Sequence, residues 1–267
     1  MEVIIRPTPG RAAHLTAKLI AAELRAKPDL VLGLATGSTM EAVYEALATM
    51  HRRDGLDFSR CTTFSLDEYI GLAPDHPYSY HEYMRQHLFG RVNVNPSQTH
   101  LPNGAAADLD AECRHYEELI RQAGGIDIQL LGLGSDGHIG FNEPLSALRS
   151  RTRQKALAPA TIAQNVRFCG GDPDRMPKRA LTMGVGTILE ARKCLMLVTG
   201  ANKADILTRA VEGPITAMVT ASALQLHPSC RVIVDEAAAA RLEGSAYYRW
   251  IFESECEWAI YRDDPEV

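Results

Sequence analysis

What the chain lacks narrows the field before any motif is read. It has no apolar run of the roughly 18 to 20 residues that a membrane span requires, and its start, MEVIIRPTPGRAAH, carries no long apolar stretch of secretory type. A cytoplasmic protein with no membrane partner is expected. Positive charge is also short. The formal net charge is −5 and the isoelectric point about 6.0, with no basic stripe that could release phosphate counterions, so a nucleic-acid partner has no electrostatic support. Six cysteines (Cys61, Cys113, Cys169, Cys194, Cys230 and Cys256) are scattered without a C-x-x-C pair, which indicates neither a disulfide framework nor a structural zinc. The nucleotide fingerprints G-x-x-x-x-G-K-[ST] and G-x-G-x-x-G are missing as well. No linker, internal repeat or charge block divides residues 1–267, so one domain is expected.

What is present is an ordinary globular composition. The chain has 267 residues, of which 46% are hydrophobic and 23% charged. A single α/β domain of this size buries roughly three quarters of its unfolded-chain surface. Short β-branched and leucine-rich runs alternate with longer segments of helical period, the pattern of βαβ units and a mainly parallel sheet. Strands are expected at Val3–Ile5, Leu30–Leu34, Thr62–Leu66, Ile128–Leu133, Cys194–Val198 and Arg231–Val234. Helices are expected near Ala12–Ala26, Thr39–His51, Ser79–Leu88, Ala107–Ala123, Ala201–Val211 and Ala246–Ser254. Most strand runs are apolar at consecutive positions, as they are when helices cover both faces of a sheet. The least regular stretch is 144–177, rich in arginine and proline, and is the candidate for a mobile lid.

Four places carry chemistry. In LVLGLATGST (30–39) a buried-type strand ends in small and hydroxylated residues before a helix. Thr36, Gly37, Ser38 and Thr39 can cradle a phosphate at a helix N-terminus, or Ser38 or Thr39 can simply cap that helix. In TTFSLDEY (62–69) two carboxylates stand at the carboxyl end of a strand, where parallel sheets bind ligands. Asp67 is a candidate proton-transfer base with Glu68 or Tyr69 in support; alternatively both acids cap the following turn. In LLGLGSDGHIGFNEP (130–144), Asp136 and His138 share a side if the backbone stays extended, so the carboxylate can orient the imidazole and stabilise its charged form. Glu143 can return to the same place and complete an acid–histidine–acid cluster for proton transfer. Finally, Lys203 in the first turn of a helix and Arg167 in the irregular stretch are candidate phosphate partners. A lysine or arginine in such places can equally be only solvated.

These motifs together resemble the bacterial glucosamine-6-phosphate deaminases. The resemblance runs through LGLATGST (32–39), LDEY (66–69), DGHIGFNEP (136–144), SRTR (150–153), NVRF (165–168), LTMGVGT (181–187) and LQLHP (224–228). It implies a three-layer, Rossmann-like sheet with helices on both faces, and conversion of glucosamine 6-phosphate and water to fructose 6-phosphate and ammonium without metal or organic cofactor. Carried over residue by residue, it makes Asp67 the proton-transfer base and His138 the ring-opening histidine, held by Asp136 and Glu143. It makes Thr36, Gly37, Ser38, Thr39, Arg167 and Lys203 the phosphate site. Some members are hexamers activated by N-acetylglucosamine 6-phosphate, and Ser146, Arg153 and Lys155 match the side chains of that effector site. Ala156 stands where those members often have threonine, and the tail around Tyr247–Arg249 meets the effector-site tyrosine only across a one-residue gap. Two rivals share the fold. The 6-phosphogluconolactonases usually follow the histidine with a Ser-Leu-Phe-Pro-like run, which IGFNEP (139–144) is not; phosphosugar-sensing regulators add a DNA-binding helix pair, for which only a strand and one helix precede the phosphate loop here.

Overall fold

A computed structural model describes residues 1–166, 172 and 175–262. Among these residues the chain forms ten strands. They are β1 (Glu2–Arg6), β2 (Val31–Leu34), β3 (Thr62–Ser65), β4 (Asp67–Tyr69), β5 (Thr99–His100), β6 (Ile128–Leu131), β7 (Arg153–Ala156), β8 (Arg179–Thr182), β9 (Lys193–Val198) and β10 (Cys230–Asp235). Seven make one parallel sheet in the order β1-β10-β9-β6-β2-β3-β5. β2 and β6 are buried at every position, so helices cover both faces, and apolar residues run consecutively because neither side meets water. Leu32, Leu34, Leu130, Val232 and Ile233 have no exposed surface, and each such side chain contributes about 1.5–3 kcal/mol of burial.

The expected helices are present as α1 (Pro9–Ala26), α2 (Ser38–Asp54), α3 (Tyr80–His87), α4 (Leu109–Gln122), then α7 (Ala204–Val211) and α9 (Ser245–Ser254). Four short ones, α5 (Pro159–Asn165), α6 (Val185–Leu189), α8 (Glu236–Ala239) and α10 (Ala259–Arg262), were not anticipated. Start signals follow the usual chemistry: Thr8 Oγ1 accepts from Arg11 N before Pro9 opens α1, and Asp108 accepts from Asp110 N and Ala111 N at α4.

The strand order reverses beside β2. The chain leaves β2 toward β3 and β5, then returns to place β6 on the other flank and continues to β9 and β10. The loops after β2 and β6 therefore diverge and open a crevice at the carboxyl ends of the strands, where doubly wound sheets bind ligands.

A second, antiparallel sheet was not foreseen. β4, β8 and β7 pair in that order, with Asp67 opposite Thr182 and Arg153 opposite the same threonine. Tyr69, Phe141, Leu157, Met176 and Ala180 form its own small apolar cluster. Thus the described part of 144–177 is not the weakly packed stretch its sequence suggests. Its described residues hold β7 and α5, and Leu157 and Met176 are buried.

Candidate active site

After Leu34 the chain turns through Ala35, Thr36 and Gly37 into α2. Gly37 occupies the N-cap with φ +116°, a conformation side chains rarely adopt, and itself supplies no side-chain cap. Gly37 rather than Ser38 or Thr39 thus holds the N-cap position, and α2 presents its first N–H groups, with their partial positive charge, toward the loop. Two tyrosines hold this loop: the Tyr44 hydroxyl donates to the Ala35 carbonyl, and that of Tyr83 to the Gly37 carbonyl at 2.9 Å. Lys203, at the turn before α7, donates from Nζ to the Leu133 carbonyl at 2.7 Å. Burial lowers its pKa, and Asp136 opposes that shift.

Asp67 begins β4 two residues beyond the end of β3, and is buried. Met183 N donates to the Leu66 carbonyl at 2.7 Å, which seals the seam between the two sheets beside it. Burial, and then the neighbouring Glu68 carboxylate, push the Asp67 pKa well above the usual carboxylate range. Gly140 abuts it, since a methyl group there would stand 3.4 Å from Asp67 Oδ2 and 2.9 Å from Thr182 Oγ1. That threonine hydroxyl also accepts from Phe141 N at 3.0 Å, so β8 fastens the Gly140–Phe141 turn against Asp67.

The route by which Asp136 meets His138 differs from the extended strand read from the sequence. Residues 134–138 form a tight turn in which Gly134 N donates to the His138 carbonyl at 2.9 Å and Gly137 takes φ +88°. His138 N donates to Asp136 Oδ1 at 3.2 Å, and that oxygen lies 2.6 Å from Nδ1 of the ring. Glu143 Oε2 faces the same nitrogen from 3.6 Å, while its Oε1 accepts from Ala158 N at 3.0 Å. The ring lies flat on bare backbone: a methyl at Gly134 would come within 2.4 Å of it. Burial pushes the Asp136 carboxyl up, but its bonds to His138 outweigh that and hold its pKa down at about 2. The donor atoms of Asp136, His138 and Glu143 lie within 4.8 Å of one another, a donor set that could also take a metal ion. Oδ1 and Nδ1 stand 2.6 Å apart, closer than the about 3.4 Å between two donors that each lie about 2.1 Å from a tetrahedral ion.

All of this converges on one cavity of about 570 Å³, lined by Thr36, Gly37, Ser38, Thr39, Asp67, His138 and Lys203 among others. Asp136 and Glu143 stand off its wall and reach it through His138. Arg167 lies outside the described residues. Ser146, Arg153 and Lys155 do not line the cavity. Sequence reasoning missed the aromatic wall. Tyr69 and Tyr80 rings stand 4.8 Å apart, and Phe141 lies 6.2 Å from Tyr80 at 9°. The Tyr80 hydroxyl donates to that of Tyr69 at 3.1 Å, and Asn165 Nδ2 donates to the same oxygen at 3.2 Å. A signal was available in the crowding of Tyr69, Tyr78, Tyr80 and Tyr83, close along a chain with nine tyrosines in all.

A parallel sheet with a hydroxyl-rich loop, a buried carboxylate and an acid–imidazole cluster at its switch point defines an α/β protein built around a small polar ligand. Comparison with known proteins makes that particular. The sequence model described as glucosamine-6-phosphate isomerases/6-phosphogluconolactonase matches residues 9–234, and the chain belongs to this family. It is 51% identical to the glucosamine-6-phosphate deaminase of Arthrobacter sp. (strain FB24), over 97% of this chain and 99% of that one. With glucosamine-6-phosphate deaminase 2 of Bacillus subtilis (strain 168) it shares 46% identity over 92% of this chain and 100% of the relative. Among solved structures, a monomeric glucosamine-6-phosphate deaminase superposes with a TM-score of 0.88 at 44% identity, covering 90% of this chain and all of that one. The 6-phosphogluconolactonase from Trypanosoma cruzi superposes at 0.72 with 21% identity, over 91% of this chain and 97% of that one, a likeness of fold.

Proposed function

We propose that the protein is an isomerising deaminase that converts glucosamine 6-phosphate and water to fructose 6-phosphate and ammonium. The observation that carries this reading is the single cavity in which the loop 36–39, Lys203, Asp67 and His138 meet. The phosphate is held by the N-terminal N–H groups of α2, the hydroxyls of Thr36, Ser38 and Thr39, and Lys203, with Arg167 as a further cation. His138 moves the proton between the anomeric hydroxyl and the ring oxygen that opens the sugar, and Asp136 and Glu143 fix the ring for that task. Asp67 removes the C2 proton and returns it to C1. The resulting C2 iminium adds water and expels ammonia. A base working on a carbon acid benefits from the raised affinity for protons that burial confers on Asp67. The phosphate anchorage supplies orientation that is used at C1 and C2. The 144–177 stretch serves as the lid, with Thr161 and Asn165 of α5 already on the cavity wall.

Regulation by N-acetylglucosamine 6-phosphate in a hexamer is a second reading, favoured by one observation. Ser146 Oγ and Arg153 Nη2 are both buried without a hydrogen-bond partner, and Arg153 Nη1 donates to Asn142 Oδ1 at 2.9 Å, next to Glu143. Tyr248 does not share in this, because its hydroxyl donates to Glu212 Oε1 at 2.9 Å. The cytoplasm is the proposed compartment; among the described residues no helix is long and apolar enough to cross a membrane.

Coupled assay of fructose 6-phosphate and ammonium from glucosamine 6-phosphate tests the primary reading, with 6-phosphogluconolactone as the competing substrate. Lactone hydrolysis without ammonia release would overturn it. The same assay repeated with the acetylated sugar, beside sedimentation to count subunits, decides the second.

A further inference from the structure

The residue beside the proposed base is better connected than the base itself. Glu68 is buried, and its carboxylate accepts four hydrogen bonds, all from two short pieces of chain. Oε1 accepts from Tyr69 N at 2.7 Å and Tyr80 N at 3.0 Å; Oε2 accepts from His81 N at 3.1 Å and lies 3.0 Å from His81 Nδ1. Tyr80 and His81 are the first residues of α3, whose N-cap is Ser79. Glu68 thus rivets β4 to the N-terminus of α3, and a negative charge there is also favoured by the helix dipole. Both ends of this rivet face the cavity. One side holds Asp67 and Tyr69, the other Tyr80, whose ring packs on Tyr69 and Phe141, and Tyr83, which holds the Gly37 carbonyl.

A surface-capping role would not require full burial beside a second buried carboxylate. Two adjacent buried acids are an expensive arrangement, and one that survives because every lone pair of Glu68 is used.

We propose that Glu68 is a positioning residue for Asp67: by tying β4 to the first turn of α3 it fixes the base, the aromatic wall and the phosphate loop as one unit. The inference rests on Asp67 being the base. Glu68 also places a fixed charge next to Asp67, second only to burial among the influences on that carboxyl. Burial pushes the phenols of Tyr44 of α2, Tyr80 of α3 and Tyr116 of α4 well above their ordinary value, and the Asp67 charge raises them further, so all three stay neutral near pH 7. His138 and Lys203 share its cavity.

Three variants separate tether from charge. In Glu68→Gln the amide oxygen still accepts from Tyr69 N and Tyr80 N, but an NH₂ faces the two His81 donors. Misplacement of a reacting group by about 1 Å costs on the order of 10²-fold, so kcat is expected to fall roughly ten- to a hundredfold with KM changed less than about twofold. Loss of the neighbouring charge makes Asp67 easier to ionise, so the acid limb of the kcat–pH profile moves to lower pH. Glu68→Asp keeps the charge but is one methylene too short for α3: kcat falls and the limb stays. A merely structural role would lower the folded fraction and leave the profile of the folded enzyme where it was. Should Glu68→Gln fail to fold, His81→Ala removes a single donor and is expected to lower kcat several-fold at unchanged KM. Wild-type kcat and an unmoved acid limb in the folded variants overturn the proposal. Asp67→Asn, assayed alongside, keeps the two readings apart. Turnover surviving in Asp67→Asn defeats the base assignment itself, whereas an inactive Asp67→Asn beside a normal Glu68→Gln defeats the positioning role alone.

Discussion

The two sheets divide the labour of this molecule unequally. The seven-stranded sheet is wide, parallel and apolar on both faces; the three-stranded one is narrow, antiparallel and rests on a cluster of five side chains. Bulk stability resides in the first. The second contributes little buried surface, yet Asp67 is its opening residue and its middle strand, β8, holds the Gly140 turn against that carboxylate. The lesson is that substitutions in the wide sheet should change how much enzyme is folded, while those at the seam should change what the folded enzyme does.

The largest expected effect is at the seam. Asp67→Asn should lower turnover by about 10²- to 10⁴-fold while phosphosugar affinity, read by calorimetry, is nearly kept; comparable losses in both would break the contrast. Next, Ile233→Ala in the fully buried middle of β10 should cost about 2–5 kcal/mol in chemical denaturation, with kcat per folded molecule retained. A collapse of kcat in the folded fraction would show that the wide sheet is not a passive scaffold. Gly134→Ala drives a methyl into the His138 ring, so the imidazole must move and turnover should drop on the order of 10²-fold with KM little altered. A smaller signature lies in the pH dependence of stability. The folded pKa of Asp67 is raised, so its contribution is present below the unfolded carboxyl pKa and is lost as pH rises through the raised value. Melting temperatures of Asp67→Asn relative to wild type should therefore rise progressively with pH, and a flat difference would deny the burial penalty. Smallest of all, breaking the exposed Arg249–Glu236 pair on the wide sheet's periphery with Arg249→Ala should change stability by at most about 1 kcal/mol and leave kinetics alone.

The same division governs what could be read from sequence. Strands such as Cys194–Val198 and Arg231–Val234 announce themselves because burial on both faces leaves no polar alternation to confuse with a loop. β4, β7 and β8 span three or four residues each and mix charges with apolar positions, since they cover only one small cluster; nothing local distinguishes Asp67–Tyr69 from a capped turn. Six regular strands and six helices were therefore legible, and the antiparallel sheet was not. At the site, the association of Asp136, His138 and Glu143 was legible from their proximity in the chain, but the geometry was not. The positive φ of Gly137 folds the pair together by a turn, and glycine permits that conformation without dictating it. The wall of Tyr69, Tyr80 and Phe141 joins three separate elements, so it arises only when the chain is folded.

One carboxylate binds two neighbourhoods with a rigid plane. Glu143 shows one oxygen to the imidazole and gives the other to the backbone N–H at the head of α5. Those oxygens share a carbon, and neither can travel alone. If α5 serves as a lid, any rocking of it is geared to the angle at which acid meets ring, and cavity closure and proton transfer would then be coupled.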